Sequence, residues 1–68
     1  MKTISHTDTI FATIRRGFKV VATFTVSGIT NMTEVMTLAQ SRVGAGLVTV
    51  TLRNSSAGWS DTRSVMFR

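Results

Sequence analysis

Ile14-Arg15-Arg16-Gly17-Phe18-Lys19 (IRRGFK) lies between two runs of alternating residues, and the way the chain turns there decides what the remainder can build. Before it, Ile10, Ala12 and Ile14 alternate with Phe11, Thr13 and Arg15. After it, Phe18, Val20, Ala22, Phe24 and Val26 alternate with Lys19, Val21, Thr23 and Thr25. A period of two marks strands with one buried face, so the turn must put both apolar sets on the same side of a sheet. A two-residue loop of Arg16-Gly17 would pair Arg15 with Phe18 and separate the sets. A three-residue loop, Arg15-Arg16-Gly17, pairs Ile14 with Phe18, Ala12 with Val20 and Ile10 with Ala22. Its last position is left-handed, where glycine avoids the steric cost of a side chain. The sequence predicts that loop and that register.

Working outward, the period changes after Gly28. Met32, Val35, Met36, Ala39 and Val43 recur at helical spacing, Leu38 widens the stripe, and Thr33, Thr37, Gln40 and Ser41 lie opposite. Asn31 is placed to cap this helix and Glu34, three residues on, suits the positive end of the helix dipole. Arg42 suits the other end, and Gly44 or Gly46 can stop the helix in a left-handed conformation. Gly44-Ala45-Gly46 is thus a helix stop, since a phosphate-binding glycine loop would precede a helix. Alternation resumes with Val48, Val50 and Leu52 on one face and Leu47, Thr49, Thr51 and Arg53 on the other. A four-residue loop, Ser55 to Gly58, would pair Asn54 with Trp59 and Val48 with Val65 in a final strand from Trp59 to Phe67. Met1 to Asp8 is polar and reads either as a frayed end or as an extension of the first strand.

The order strand, strand, helix, strand, strand predicts an α+β domain: a two-layer ββαββ arrangement with one helix on one face of a four-stranded antiparallel sheet. The 68 residues suffice for one domain, residues 1–68, which buries only about 60% of its unfolded surface. Domains of this size commonly recruit disulfides, a metal or a second subunit. With no cysteine and His6 as the one histidine, a homo-oligomer, in the simplest case a homodimer, is the remaining device. No apolar run is long enough for a secretory signal or a membrane span, and a cytoplasmic location is expected.

Charge decides the expected function. Eight basic residues, six of them arginine, oppose three acidic ones for a net +5. Arginine is the better phosphate partner. The acids and bases available for catalysis are His6, Asp8, Glu34 and Asp61; His6 and Asp8 read as a solvated tail, so the chain is not expected to be an enzyme. One histidine without cysteine offers no metal site, and no cofactor motif is present. The expectation is a small, basic, non-catalytic nucleic-acid-binding protein. Arg15, Arg16, Lys19, Arg53 and Arg63, gathered on one side, would contact phosphates of DNA or RNA, and Phe11 or Trp59 would stack on bases. The competing reading is a protein-interaction or regulatory module whose open sheet face, with Phe11, Val21, Leu47 and Met66 as an apolar patch, binds a second copy or a target protein.

Overall fold

The computed structural model describes residues 4–28 and 31–68. It contains β1 (Thr9–Arg16), β2 (Lys19–Ser27), α1 (Met32–Val43), β3 (Gly46–Asn54) and β4 (Trp59–Phe67). The strands form a single antiparallel sheet in the order β2-β1-β3-β4, which is the predicted ββαββ arrangement. The two strands richest in buried side chains, β1 and β3, are central. The strands with more polar and half-exposed positions, β2 and β4, are the edges.

The core is one layer. Ile10, Ala12 and Ile14 from β1, Val48, Val50 and Leu52 from β3, and Phe67 from β4 bury their side chains against Val35 and Ala39 of the helix. The helix lies chiefly over β1 and β2. Leu38, expected to widen the apolar stripe, is instead exposed, because the stripe that reaches the sheet is the narrower one through Val35 and Ala39. Asn31 caps the helix as expected, its Oδ1 accepting from the Glu34 N–H at 3.0 Å. Gly44 ends it with φ +75°, its N–H bonding to the Gln40 carbonyl.

The second hairpin has the predicted register, with Asn54 opposite Trp59 and Val48 opposite Val65. The first does not. Ile14 pairs with Ala22, Ala12 with Phe24 and Ile10 with Val26, while Arg16 pairs with Lys19 around a two-residue loop of Gly17 and Phe18. The predicted pairs Ile14 with Phe18 and Ala12 with Val20 are thereby replaced. Glycine occupies the first loop position with φ +66°, the sign a type II′ hairpin needs there. The loop alone would misalign the faces by one residue. A β-bulge corrects this: between the Ile14–Ala22 and Arg15–Val20 pairs, Val21 has no partner of its own. This register brings Phe24 and Val26 beside Ala12 and Ile10, where they pack against the core; the predicted one would have left both beyond the end of β1. Phe18, expected to face inward, sits fully exposed on the loop.

Residues 4–8, the described part of the polar N-terminal segment, form a turn instead of extending β1. The Asp8 N–H donates to the Ser5 carbonyl at 2.8 Å, and the Gly28 N–H donates to the His6 carbonyl at 3.1 Å, fastening the turn to the end of β2. Residues 1–3 of that segment lie outside the described residues.

Candidate nucleic-acid interface

Because residues directly opposite one another in a sheet share a face, the register assigns every side chain to the helix side or the open side. On the open side the strand pairings line up in rows. One row runs Thr25, Phe11, Arg53, Ser60; the next Thr23, Thr13, Thr51, Thr62; a third begins at the bulge with Val20 and Val21 and continues Arg15, Thr49, Ser64. Leu47 and Met66, also directly opposite, close the sheet beyond the third row. Threonine appears here because its branched Cβ fits a pleated, half-exposed surface. Its hydroxyls make that surface wettable, and Thr51 and Thr62 share a hydrogen bond of 3.3 Å between their Oγ1 atoms.

Phe11 stands near one end of this face, 49% exposed on a central strand, with Arg53 directly opposite on the other central strand. Arg15 lies four residues further along β1, on the same face. Both arginines are exposed. The open face holds no carboxylate. Asp61 is on the helix side of β4, Glu34 is in the first helical turn, and Asp8 belongs to the N-terminal turn.

The other expected phosphate contacts are elsewhere. Arg15 and Arg16, read as joint residents of a loop, are the last two residues of β1 and so point to opposite sides. The Arg16 Nη2 reaches the carbonyls of Val43 (3.3 Å) and Ala45 (3.1 Å), where a cation meets the negative end of the helix. Gly46 lies beside this guanidinium and has φ +124°, a backbone conformation that favours glycine. Lys19, opposite Arg16, is on the helix side too. Arg63, opposite Val50, is on the helix side and holds the Asp61 Oδ2 through Nη2 at 2.6 Å and Nε at 3.2 Å. The expected gathering of five basic groups on one side is therefore not found: Arg15 and Arg53 share the open face, and Arg16, Lys19 and Arg63 do not.

Trp59 is half-buried on the helix side, packed against the core. It also lines a shallow depression beside the second turn with Arg53, Asn54 and Ser60, so the row through Phe11 and Arg53 runs toward the indole around the end of the sheet. The depression rests on Asn54, a fully buried polar residue that the pattern reading passed over. Its Nδ2 donates to the Asp8 Oδ2 at 2.9 Å, and its Oδ1 accepts from the Ala57 N–H at 3.0 Å. The Asp8 carboxylate also accepts from the Ser5 N–H. Those two donors, Asn54 first, hold Asp8 below the usual carboxylate range. An asparagine at the end of an apolar alternation, just before a turn, was the available signal for this role.

Among the described residues no group of three His, Cys, Asp or Glu side chains comes together, and no helix is long and apolar enough to cross a membrane. No family model matches the chain, and no curated protein or solved structure matches it significantly.

Proposed function

We propose that the protein binds single-stranded nucleic acid, without catalysis, across the open face of its sheet. One observation carries this reading: the face left uncovered by the helix combines an exposed aromatic ring, two arginines and rows of hydroxyls with no acidic side chain among the described residues. Phe11 supplies a platform on which a base stacks, a contact that any base can make. Arg53 beside it and Arg15 two rows away meet phosphates, and the threonines and serines between them bond to phosphate and sugar oxygens. Duplex DNA has its bases stacked inward and offers nothing to Phe11, so single strands are the preferred form.

The test is a titration with an oligothymidine and with the corresponding duplex at two salt concentrations, read by the fluorescence of the single tryptophan, which lies beside the Arg53 end of the face. Single strands should bind more tightly. Phe11→Ala should weaken them by about 1–3 kcal/mol, the usual worth of a stacked base. Arg15→Ala and Arg53→Ala should each flatten the salt dependence by a slope of about 0.7. Absence of binding to either oligonucleotide at low salt would overturn the proposal.

A second reading, protein association through the open face, draws on Leu47 and Met66, cross-strand partners that are 60% and 61% exposed. Such an apolar pair at one end of a sheet is a common element of contact surfaces. Loss of a protein target on Leu47→Ser, with oligonucleotide binding absent in the parent chain, would favour it.

A further inference from the structure

The two ends of the sheet are unlike. Cross-strand partners lie side by side, so the register gives every residue a level along the strands. Counted from the row of Ile14, Val50 and Arg63, the Gly17–Phe18 loop, Leu47 and Met66 all stand three residues away in the same direction. One end of the sheet is therefore tipped by Phe18, Leu47 and Met66. They are the most exposed large apolar side chains among the described residues, at 105%, 60% and 61%.

Cations stand directly behind these tips. Arg15 is two residues back on the open side, and Arg16 and Lys19 are one residue back on the helix side. The helix ends here too, since Arg16 bonds the Val43 carbonyl, and this brings Arg42 of the last turn to the same end. Arg68 follows Phe67, and its carbonyl accepts from the Gln40 Nε2. All five basic residues are exposed. The described carboxylates lie toward the other end: Asp8 precedes β1, Glu34 is in the first helical turn, and Asp61, opposite Leu52, is two residues from the reference row in the opposite direction.

An end that is both cationic and apolar restricts its partner. A second copy of the same end would bring like charges together, which is unfavourable. A duplex offers phosphates, but an apolar wedge entering it has to fit one base step. Phe18, Leu47 and Met66 belong to a loop and two further strands, and at the usual strand spacing they spread across about 10 Å. A bilayer interface presents anionic headgroups in a plane with hydrocarbon beneath it, which suits apolar tips at one level backed by cations.

We propose that the protein attaches end-on to an anionic bilayer surface. Phe18, Leu47 and Met66 enter the headgroup boundary, and Arg15, Lys19, Arg42 and Arg68 meet the lipid phosphates. Attachment of this kind needs no spanning segment. Because Phe18 is fully exposed in the free protein, its insertion gives up no packing within the fold. This inference stands on the loop end of the sheet and does not depend on nucleic-acid binding. The Phe11–Arg53 row is six residues from the apolar tips, about 20 Å along the strands, and stays clear of the bilayer.

Co-sedimentation with sucrose-loaded vesicles tests it. The chain should pellet with vesicles of equal parts phosphatidylglycerol and phosphatidylcholine and remain in the supernatant with phosphatidylcholine alone. Added salt should weaken the binding. Phe18→Ser should weaken it about tenfold or more, without loss of the fold. Lys19→Gln should weaken it about fivefold. Leu38→Ala, which trims an exposed apolar side chain at mid-helix, should leave it unchanged. Orientation is read with single cysteines in a chain that has none. An environment-sensitive dye on Phe18→Cys should shift to the blue on anionic vesicles, and the same dye on Ser56→Cys, in the turn at the opposite end, should not. Failure to bind anionic vesicles at low salt, binding that Phe18→Ser leaves intact, or a larger dye shift on Ser56→Cys would each overturn the proposal. A Phe18→Ser defect in duplex binding, with vesicles left unbound by the parent, would overturn it in favour of nucleic acid at this end.

Discussion

Arg15 and Arg16 should respond to replacement in unrelated ways, although no residue separates them. Arg16 bonds the last carbonyls of the helix, so Arg16→Ala should lower stability by about 1 kcal/mol and leave the salt dependence of oligonucleotide binding unchanged. Arg15 projects from the other side with no such bond to supply, and its removal belongs to the binding measurement. Chemical denaturation of the two variants separates these effects. Asp8 offers a second residue-scale test. Its carboxyl is held below the ordinary value by Asn54 and Ser5, so the folded state binds its proton less readily than the unfolded chain does. That contribution to stability is complete above the unfolded value, close to 3.8, and is lost as the pH falls through the lower folded value. Asp8→Asn should therefore lower the urea midpoint near neutral pH, with the difference from the parent narrowing as the solution is acidified. A difference that stays constant into strong acid would show that Asp8 is not the group responsible. Asn54→Ala, which leaves the Ala57 N–H and the Asp8 carboxylate without their partner, should cost about 1–3 kcal/mol on the same assay.

At the scale of elements, the first hairpin is where stability and appearance diverge. Phe18 looks like a core residue in the alternating pattern, yet it is fully exposed, so Phe18→Ser should change the denaturation midpoint by no more than about 0.5 kcal/mol. A loss of several times that amount would restore the inward reading. The contrast between the two hairpins shows what a pattern can convey. Alternation specifies which face a residue occupies but leaves the register open to any even shift, and β2 is displaced by four residues along β1 from its expected position with no change in the face of Ile14, Ala22 or Phe24. In the second hairpin, the short loop of small residues and the need to seat Val65 and Phe67 beside Val48 and Gly46 left one solution, and the register was legible. The helix was legible from Asn31 to Gly44, because capping and periodicity agree. For the candidate site, Phe11 and Arg53 were correctly read as open-face residues, but Arg53 was expected with the basic hairpin tip and stands instead opposite Phe11. Arg16 was misread, since placing it in a loop concealed the rule that consecutive strand residues face opposite ways.

For the molecule as a whole, the charged residues are sorted by layer. The described carboxylates lie outside the open face, two of them with partners that include Asn54 and Arg63, while that face keeps two cations among hydroxyls. A polyanion approaching from the open side meets no like charge on the sheet surface, which is why the net charge of +5 understates the asymmetry. The unpartnered Val21 has its own consequence at this scale. A sheet edge whose backbone groups run in unbroken register can accept further strands in succession and grow into fibrils. Deleting Val21 straightens the β2 edge, and the shortened protein should form thioflavin-positive aggregates under conditions in which the parent stays clear in solution. A single surplus residue in the second strand thus keeps this edge from acting as a template for polymer growth.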